Sequence, residues 1–191
     1  MKRVLSLVLV LVLVLGSFPV FADTTTYGEQ LFEMGLLKGD EEGNLNEDVA
    51  LTRAEMMVVL ARLYGVEDEA MAFPLPSTFT DVDVDAWYAP YVAYAQLEGW
   101  TVGYGDGTFG PEDAVNEQMV ATFMLRALGY EVVWETAVAD AAELGIGAVA
   151  SDPMLRGEVF EMMFETINTE NTEGEVLGEV LGVLVPAVPE V

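Results

Sequence analysis

Apolar positions recur at three- and four-residue spacing in several stretches of this 191-residue chain. That is the period of a helix with one face to bury. The clearest case is Met56, Val59, Leu60 and Leu63, which follow Thr52-Arg53-Ala54-Glu55. Thr52 with Glu55 three residues on is a capping box, so a helix is expected to start at Arg53. The same pattern predicts helices near residues 27–34, 89–97, 117–128 and 137–144, with Asn116 as a cap and Gly65 and Gly129 as stops. A last helix carries Val159, Phe160, Met162, Met163 and Phe164. Asp152-Pro153 reads as its start, with Asp152 capping and Pro153 at the first helical position.

Arg53 does not fit its helix. A cation in the first turn faces the positive end of the helix dipole, at a cost of a few tenths of a kcal/mol. Free N–H groups at a helix start, joined by a guanidinium, make a site for a carboxylate or phosphate. The plainer alternative is an arginine in solvent or paired with a carboxylate.

Sliding the region around Thr52 forward until Thr52 meets Asn116 superposes it on a second copy without gaps. Gly35, Gly39 and Gly43 fall on Gly99, Gly103 and Gly107, Leu51 on Val115, Arg62 on Arg126, and Gly65 on Gly129. Turn glycines and core positions matching in one register indicate an internal repeat of helix, glycine-rich turn, short extended piece and helix. A third, worn copy follows. Trp134 stands near the place of Trp87, Gly145 answers Gly99, and Leu155-Arg156-Gly157-Glu158 answers Thr52-Arg53-Ala54-Glu55. Its turn is about seven residues shorter.

Composition narrows the chemistry. Lys2 and Arg3 ahead of the apolar run 4–15, with Ala22 at the end, read as a secretory leader over residues 1–22. Its removal leaves five basic residues against 33 acidic ones, a net charge of −28. Such a chain is not expected to bind nucleic acid or an anionic membrane through bulk charge. With neither cysteine nor histidine, disulfides, thiolate and histidine catalysis and ordinary zinc sites are excluded. No cofactor is expected, and no pair of carboxylates is marked out for glycoside cleavage. Asp81, Asp83 and Asp85 have the alternation of a calcium loop, but Ala86 and Val92 occupy its glycine and glutamate places. They read as turn residues, with Asp81 as a cap. Trp87, Trp134, Tyr88, Tyr91 and Tyr94 are candidates for stacking on sugar rings, although Tyr91 and Tyr94 lie three apart and at least one should be core. Trp100 is open to either role. After a polar linker, residues 176–185 read as a short apolar strand or docking segment.

The repeat resembles the S-layer homology module. The second copy carries Phe79-Thr80-Asp81-Val82, Trp87, Tyr91, Ala95, Gly99, Gly103 and the run from Gly105 to Pro111, and the first carries the signature Thr52-Arg53-Ala54-Glu55. The resemblance implies three modules, at residues 23–70, 77–130 and 131–168, with the second and third degenerate and residues 169–191 forming an acidic linker and apolar tail. It implies a mainly α fold, a pseudo-threefold bundle of three helix-turn-helix modules with short extended segments in prong-like turns. It implies anchoring, without catalysis, to a secondary cell-wall polysaccharide of a Gram-positive type envelope, often through pyruvylated sugars. Arg53 and Arg156 would then be the anion contacts, at the starts of their helices. Thr52, Glu55, Asp81, Trp87, Gly103 and Trp134 would line or support the groove. Asn116-Glu117-Gln118-Met119 departs from the signature, and Glu117 should repel an anion. The competing reading is a worn scaffold without glycan affinity, self-associating through its tail.

Overall fold

The computed structural model describes residues 25–184, so the leader at 1–22 and the end of the tail lie outside the described residues. Within them the chain is mainly helical, with extended backbone only as isolated bridges. The helices are α1 (Tyr27–Glu33), α2 (Arg53–Leu63), α3 (Glu67–Met71), α4 (Ala89–Leu97), α5 (Glu117–Ala127), α6 (Ala137–Glu143), α7 (Arg156–Ile167) and α8 (Leu177–Val180). A 3₁₀ turn at Trp134–Thr136 leads into α6.

α2, α5 and α7 are the long elements, and their starts meet. The Met154 N–H donates to the Val115 carbonyl (3.0 Å), Val115 N–H to Leu51 (2.9 Å), and Leu51 N–H back to Met154 (3.3 Å). Each donor lies two residues before the first residue of its helix, and all three side chains are fully buried. The three entries therefore close a hydrogen-bonded ring that satisfies backbone groups deep in the core.

This ring corrects the expected start of the last helix. Met154 is held extended by it, so Asp152 does not cap and Pro153 lies outside. α7 begins at Arg156, with Glu158 reaching back to the Leu155 N–H (2.8 Å). The Thr52–Glu55 box forms as expected, the Thr52 N–H donating to Glu55 Oε2 (2.9 Å) and the Glu55 N–H to Thr52 Oγ1 (3.2 Å). Thr52→Ala should cost about 1 kcal/mol. The expected outcome is a thermal midpoint lower by about 2–4 °C.

Each short helix packs on a long helix from elsewhere in the chain. α1 lies on α7, α4 on α2, and α6 on α5. The expectation that α2 buries one face is too modest. With α3 and α4 on a second side, only Glu55 and Arg62 escape full burial, which makes it an interior helix. The tail resolves toward docking rather than a strand. It turns through Asn171, whose side chain accepts from the N–H groups of Glu173 and Glu175, and α8 then lies on α7 with Leu177 buried.

Candidate binding grooves

The glycine-rich turns at residues 38–46 and 101–111 project as prongs, each lying against the start of a long helix from a different repeat. The second prong is shaped by Asp81, whose carboxylate accepts from the N–H groups of Phe109 (2.8 Å) and Gly110 (2.7 Å). Desolvation, the largest single effect, raises its pKa, but backbone hydrogen bonds, those from Phe109 and Gly110 foremost, together bring it below the ordinary carboxylate value. Asp81 thus staples a loop and caps no helix. Gly103 sits at φ +67°, where an added Cβ would meet the Thr108 carbonyl at 2.3 Å and Phe79 at 2.5 Å. No larger residue lets the loop fold back so tightly.

Arg53 enters this loop. It is 5% exposed. Its Nε donates to the Phe109 carbonyl (2.7 Å) and its Nη1 to Met119 Sδ (3.3 Å). The guanidinium carbon lies 4.4 Å from the Tyr104 ring centre and 4.8 Å from that of Phe109, a cation–π arrangement on both rings. Tyr104 is fixed in turn by its hydroxyl, which donates to Asp113 (2.8 Å). Burial lowers the arginine pKa, yet a guanidinium stays charged in a protein. Arg53 is therefore neither in solvent nor paired with a carboxylate.

The helix start itself is not open. The Arg53 N–H donates to the Asp113 carbonyl (2.8 Å), Ala54 to Pro111 (3.0 Å), and Glu55 to the Thr52 side chain. The start of α7 is closed the same way, Arg156 N–H to Val49 (2.8 Å) and Gly157 N–H to Glu47 (2.9 Å). The expected contribution of free backbone N–H groups is corrected on this ground: carbonyls at the ends of the prongs and just beyond them take these N–H groups, and side chains remain to receive an anion.

Two grooves result. One, of about 100 Å³, is lined by Arg53, Arg126, Gly103, Met119 and Trp134, with the hydroxyls of Thr101 and Thr122. The other, of about 300 Å³, is lined by Arg156, Arg62, Gly39, Glu55, Trp87 and Lys38, with Asp40, Asn44 and Asn46. They are the same groove twice. In the repeat register Gly39, Glu55, Val58, Val59 and Arg62 answer Gly103, Met119, Thr122, Phe123 and Arg126. Arg53 and Trp134 in the first groove have Arg156 and Trp87 as counterparts in the second. Of the residues singled out from sequence, the fold brings Arg53, Gly103 and Trp134 together in one groove and Arg156, Glu55 and Trp87 in the other. Thr52 is a cap and Asp81 a loop support. Neither groove includes Glu117.

Arg126, Arg62, Lys38 and Met119 were missed as lining residues. The signal for the two arginines was present, since they match each other in the repeat register, but it was read only as evidence for the repeat.

The grooves differ in charge. Among the described residues three ion pairs form: Lys38 Nζ with Glu67 Oε2 (2.6 Å), Arg62 Nη2 with Glu67 Oε1 (3.0 Å) and Arg156 Nη1 with Glu55 Oε1 (2.9 Å). Every cation of the Arg156 groove is thereby matched by a carboxylate. Among the described residues Arg53 and Arg126 are the two basic side chains left without one, and both line the other groove. Arg126 donates from Nη1 to the Trp100 carbonyl (2.9 Å). Of the remaining aromatics, Trp100 stacks on Tyr64 with ring centres 4.8 Å apart, and Tyr88 and Tyr91 are buried. Trp87 and Trp134 are 61% and 48% exposed, so the free ring faces lie at the grooves. No group of three or more acidic side chains among the described residues is arranged to hold a metal.

Residues 78–118 match the model of the S-layer homology domain, so the chain carries such a domain there. It is 31% identical over 160 residues to the middle cell wall protein of Brevibacillus brevis, covering 80% of this chain and 15% of that protein. It is 29% identical over 194 residues to the surface layer protein of Brevibacillus choshinensis, covering 91% and 17%. A shorter match, 30% over 92 residues, is to the cellulosome-anchoring protein of Acetivibrio thermocellus, covering 48% and 21%. The chain spans about a sixth of the length of the first two.

Proposed function

We propose that the protein holds non-covalently to the cell-wall polysaccharide of a Gram-positive type envelope, through an anionic sugar seated in the Arg53–Arg126 groove. The relatives are cell-wall and surface-layer proteins, which supports a cell-surface location. The three repeats form one pseudo-threefold bundle in this reading, supported by the ring at Leu51, Val115 and Met154. The third repeat, with its short turn, lends a tryptophan but no prong.

The observation that carries the proposal is the pair of unmatched arginines. In a chain with 33 carboxylates, two guanidiniums line one groove with no carboxylate in ion-pairing contact among the described residues, Asp113 and Asp81 acting on Arg53 only at longer range, so both keep the capacity to hold an anion. A carboxylate there accepts charge-assisted hydrogen bonds from Arg53 and Arg126, while the exposed face of Trp134 suits the apolar face of a sugar ring. A pyruvate ketal supplies both features on one residue. Long-range repulsion by the acidic surface does not prevent this, because it is screened beyond about 8 Å at physiological salt.

Co-sedimentation with purified wall sacculi tests the reading, using Arg126→Ala beside Arg62→Ala, its repeat counterpart. The expected result is binding by the parent and the Arg62 variant, and affinity at least about tenfold weaker for Arg126→Ala, the loss of one hydrogen bond to a charged group. Parent protein that stays in the supernatant overturns the proposal.

A further inference from the structure

The second prong is backed by an extended stretch, Thr78 to Asp81, that runs between it and α4. The Thr78 N–H donates to Gln96 Oε1 (2.9 Å) and the Thr80 N–H to the Gly107 carbonyl (3.0 Å). Phe79 packs on Phe109, and the Asp81 carboxylate takes the Phe109 and Gly110 N–H groups. In the repeat register the places of Gln96, Gly107, Phe109 and Gly110 belong to Phe32, Gly43, Leu45 and Asn46. All four line one cavity of about 760 Å³ between α1 and the first prong.

The first prong has the shape that such a backing stretch fits. The Asp40 N–H donates to the Asn44 carbonyl (3.0 Å) as Tyr104 does to Thr108 (2.9 Å), and Asn46 holds φ +53° where Gly110 holds +70°. Yet the N–H groups of Leu45 and Asn46 have no acceptor among the described residues. Phe32 is 48% exposed, and Leu45 is only partly buried where Phe109 is completely so. Two successive N–H groups in this conformation suit the two oxygens of one carboxylate, as they do for Asp81. Bonds of this kind to an ionised acceptor are the strong ones.

The described chain enters the cavity at Thr25, which lines it. The residues just before are Phe21-Ala22-Asp23-Thr24, with an aromatic and an acid spaced as in Phe79-Thr80-Asp81. Two residues span up to about 7 Å, so Asp23 is within reach. We infer that Asp23 closes the first prong as Asp81 closes the second, its carboxylate accepting from the Leu45 and Asn46 N–H groups. The expected leader cut after Ala22 keeps this acid and makes it the first residue. The α-ammonium created there then lies with Glu29, Glu33 and Glu47, which line the same cavity with no basic residue among the described ones, a favourable match of charge. Asn44 and Asn46 line both this cavity and the Arg156 groove. Asp23 is thereby a positioning residue for one wall of that groove, whichever ligand the groove takes.

Amide hydrogen exchange read by NMR tests the staple on protein secreted from a Gram-positive host, its first residue established by N-terminal sequencing. In the parent the amides of Leu45 and Asn46 are expected to exchange as slowly as those of Phe109 and Gly110. Asp23→Ala is expected to speed Leu45 and Asn46 at least about tenfold, the loss of a hydrogen bond to a charged group, and to leave Phe109 and Gly110 unchanged. Asp81→Ala should do the opposite. Asp23→Asn offers one acceptor oxygen in place of two, so it should release one of the two amides more than the other. Leu45 and Asn46 amides that exchange freely in the parent, or that stay slow in Asp23→Ala, overturn the inference. A secreted protein that begins after Asp23 overturns it as well.

Discussion

Arg53→Met abolishes wall binding while the protein remains folded: that is the expected result, and the surroundings of the side chain say why both halves hold. The guanidinium lies against the rings of Tyr104 and Phe109, and an unbranched methionine fills such a slot without overpacking it. What folding loses is the hydrogen bond to the Phe109 carbonyl, the weaker one to Met119 Sδ and two cation–π contacts. The Phe109 carbonyl is left without this donor, at about 1–3 kcal/mol. Binding loses more. Nε and part of Nη1 are engaged by the protein, so Nη2 and the remaining Nη1 proton are what an anion meets. Hydrogen bonds to charged groups contribute about 1.5–3 kcal/mol each; two of them correspond to about a hundredfold or more in affinity. Arg53→Lys should recover little, because an ammonium has no planar fork to pass between the two rings while reaching the carbonyl. The check is a dissociation constant for wall fragments beside a circular-dichroism melt. A folded Arg53→Met protein with parental affinity would remove Arg53 from the site.

Much of this geometry is written in the chain, but unevenly. The repeat register located the prongs, the capping box and the start of α2, and it paired Arg62 with Arg126 before either was known to line a groove. Local chemistry suffices for such features, since a cap spans three residues and a turn glycine one. What was hidden depends on contacts between distant segments. Arg53 meets Phe109 across 56 residues and Arg156 meets Glu55 across 101. Each groove draws on all three repeats, Arg53, Arg126 and Trp134 in one and Arg62, Trp87 and Arg156 in the other, so no single repeat displays its own site. The misplaced start of α7 has the same origin. Asp152-Pro153 is a sound local signal for a helix start, overridden because Met154 is required extended in the ring with Leu51 and Val115. The free helix-end N–H groups expected from α2 alone were likewise taken by carbonyls at the end of a prong from the next repeat and just beyond it.

The second large effect falls on stability and reaches the groove from beneath. Phe109 is fully buried, with its ring 5.5 Å from that of Phe79 and on one side of the Arg53 guanidinium. Phe109→Ala opens a cavity under the second prong. Truncations of this size cost about 3–5 kcal/mol, which for a chain of this length lowers the thermal midpoint by about 10 °C. The backbone carbonyl that accepts from Arg53 Nε survives the substitution, and so do the N–H groups that Asp81 accepts from. Affinity should therefore fall less than in Arg53→Met, because the arginine keeps its hydrogen-bond anchor and loses one of its two rings. Phe109→Leu separates the contributions. It restores much of the volume without the aromatic face, so its melting temperature should lie between those of the alanine variant and the parent, while its affinity should match the alanine variant. Equal melting temperatures for parent and Phe109→Ala would mean that the prong is held by Asp81 and the backbone alone. The Phe79–Phe109 contact would then be incidental to the shape of the groove.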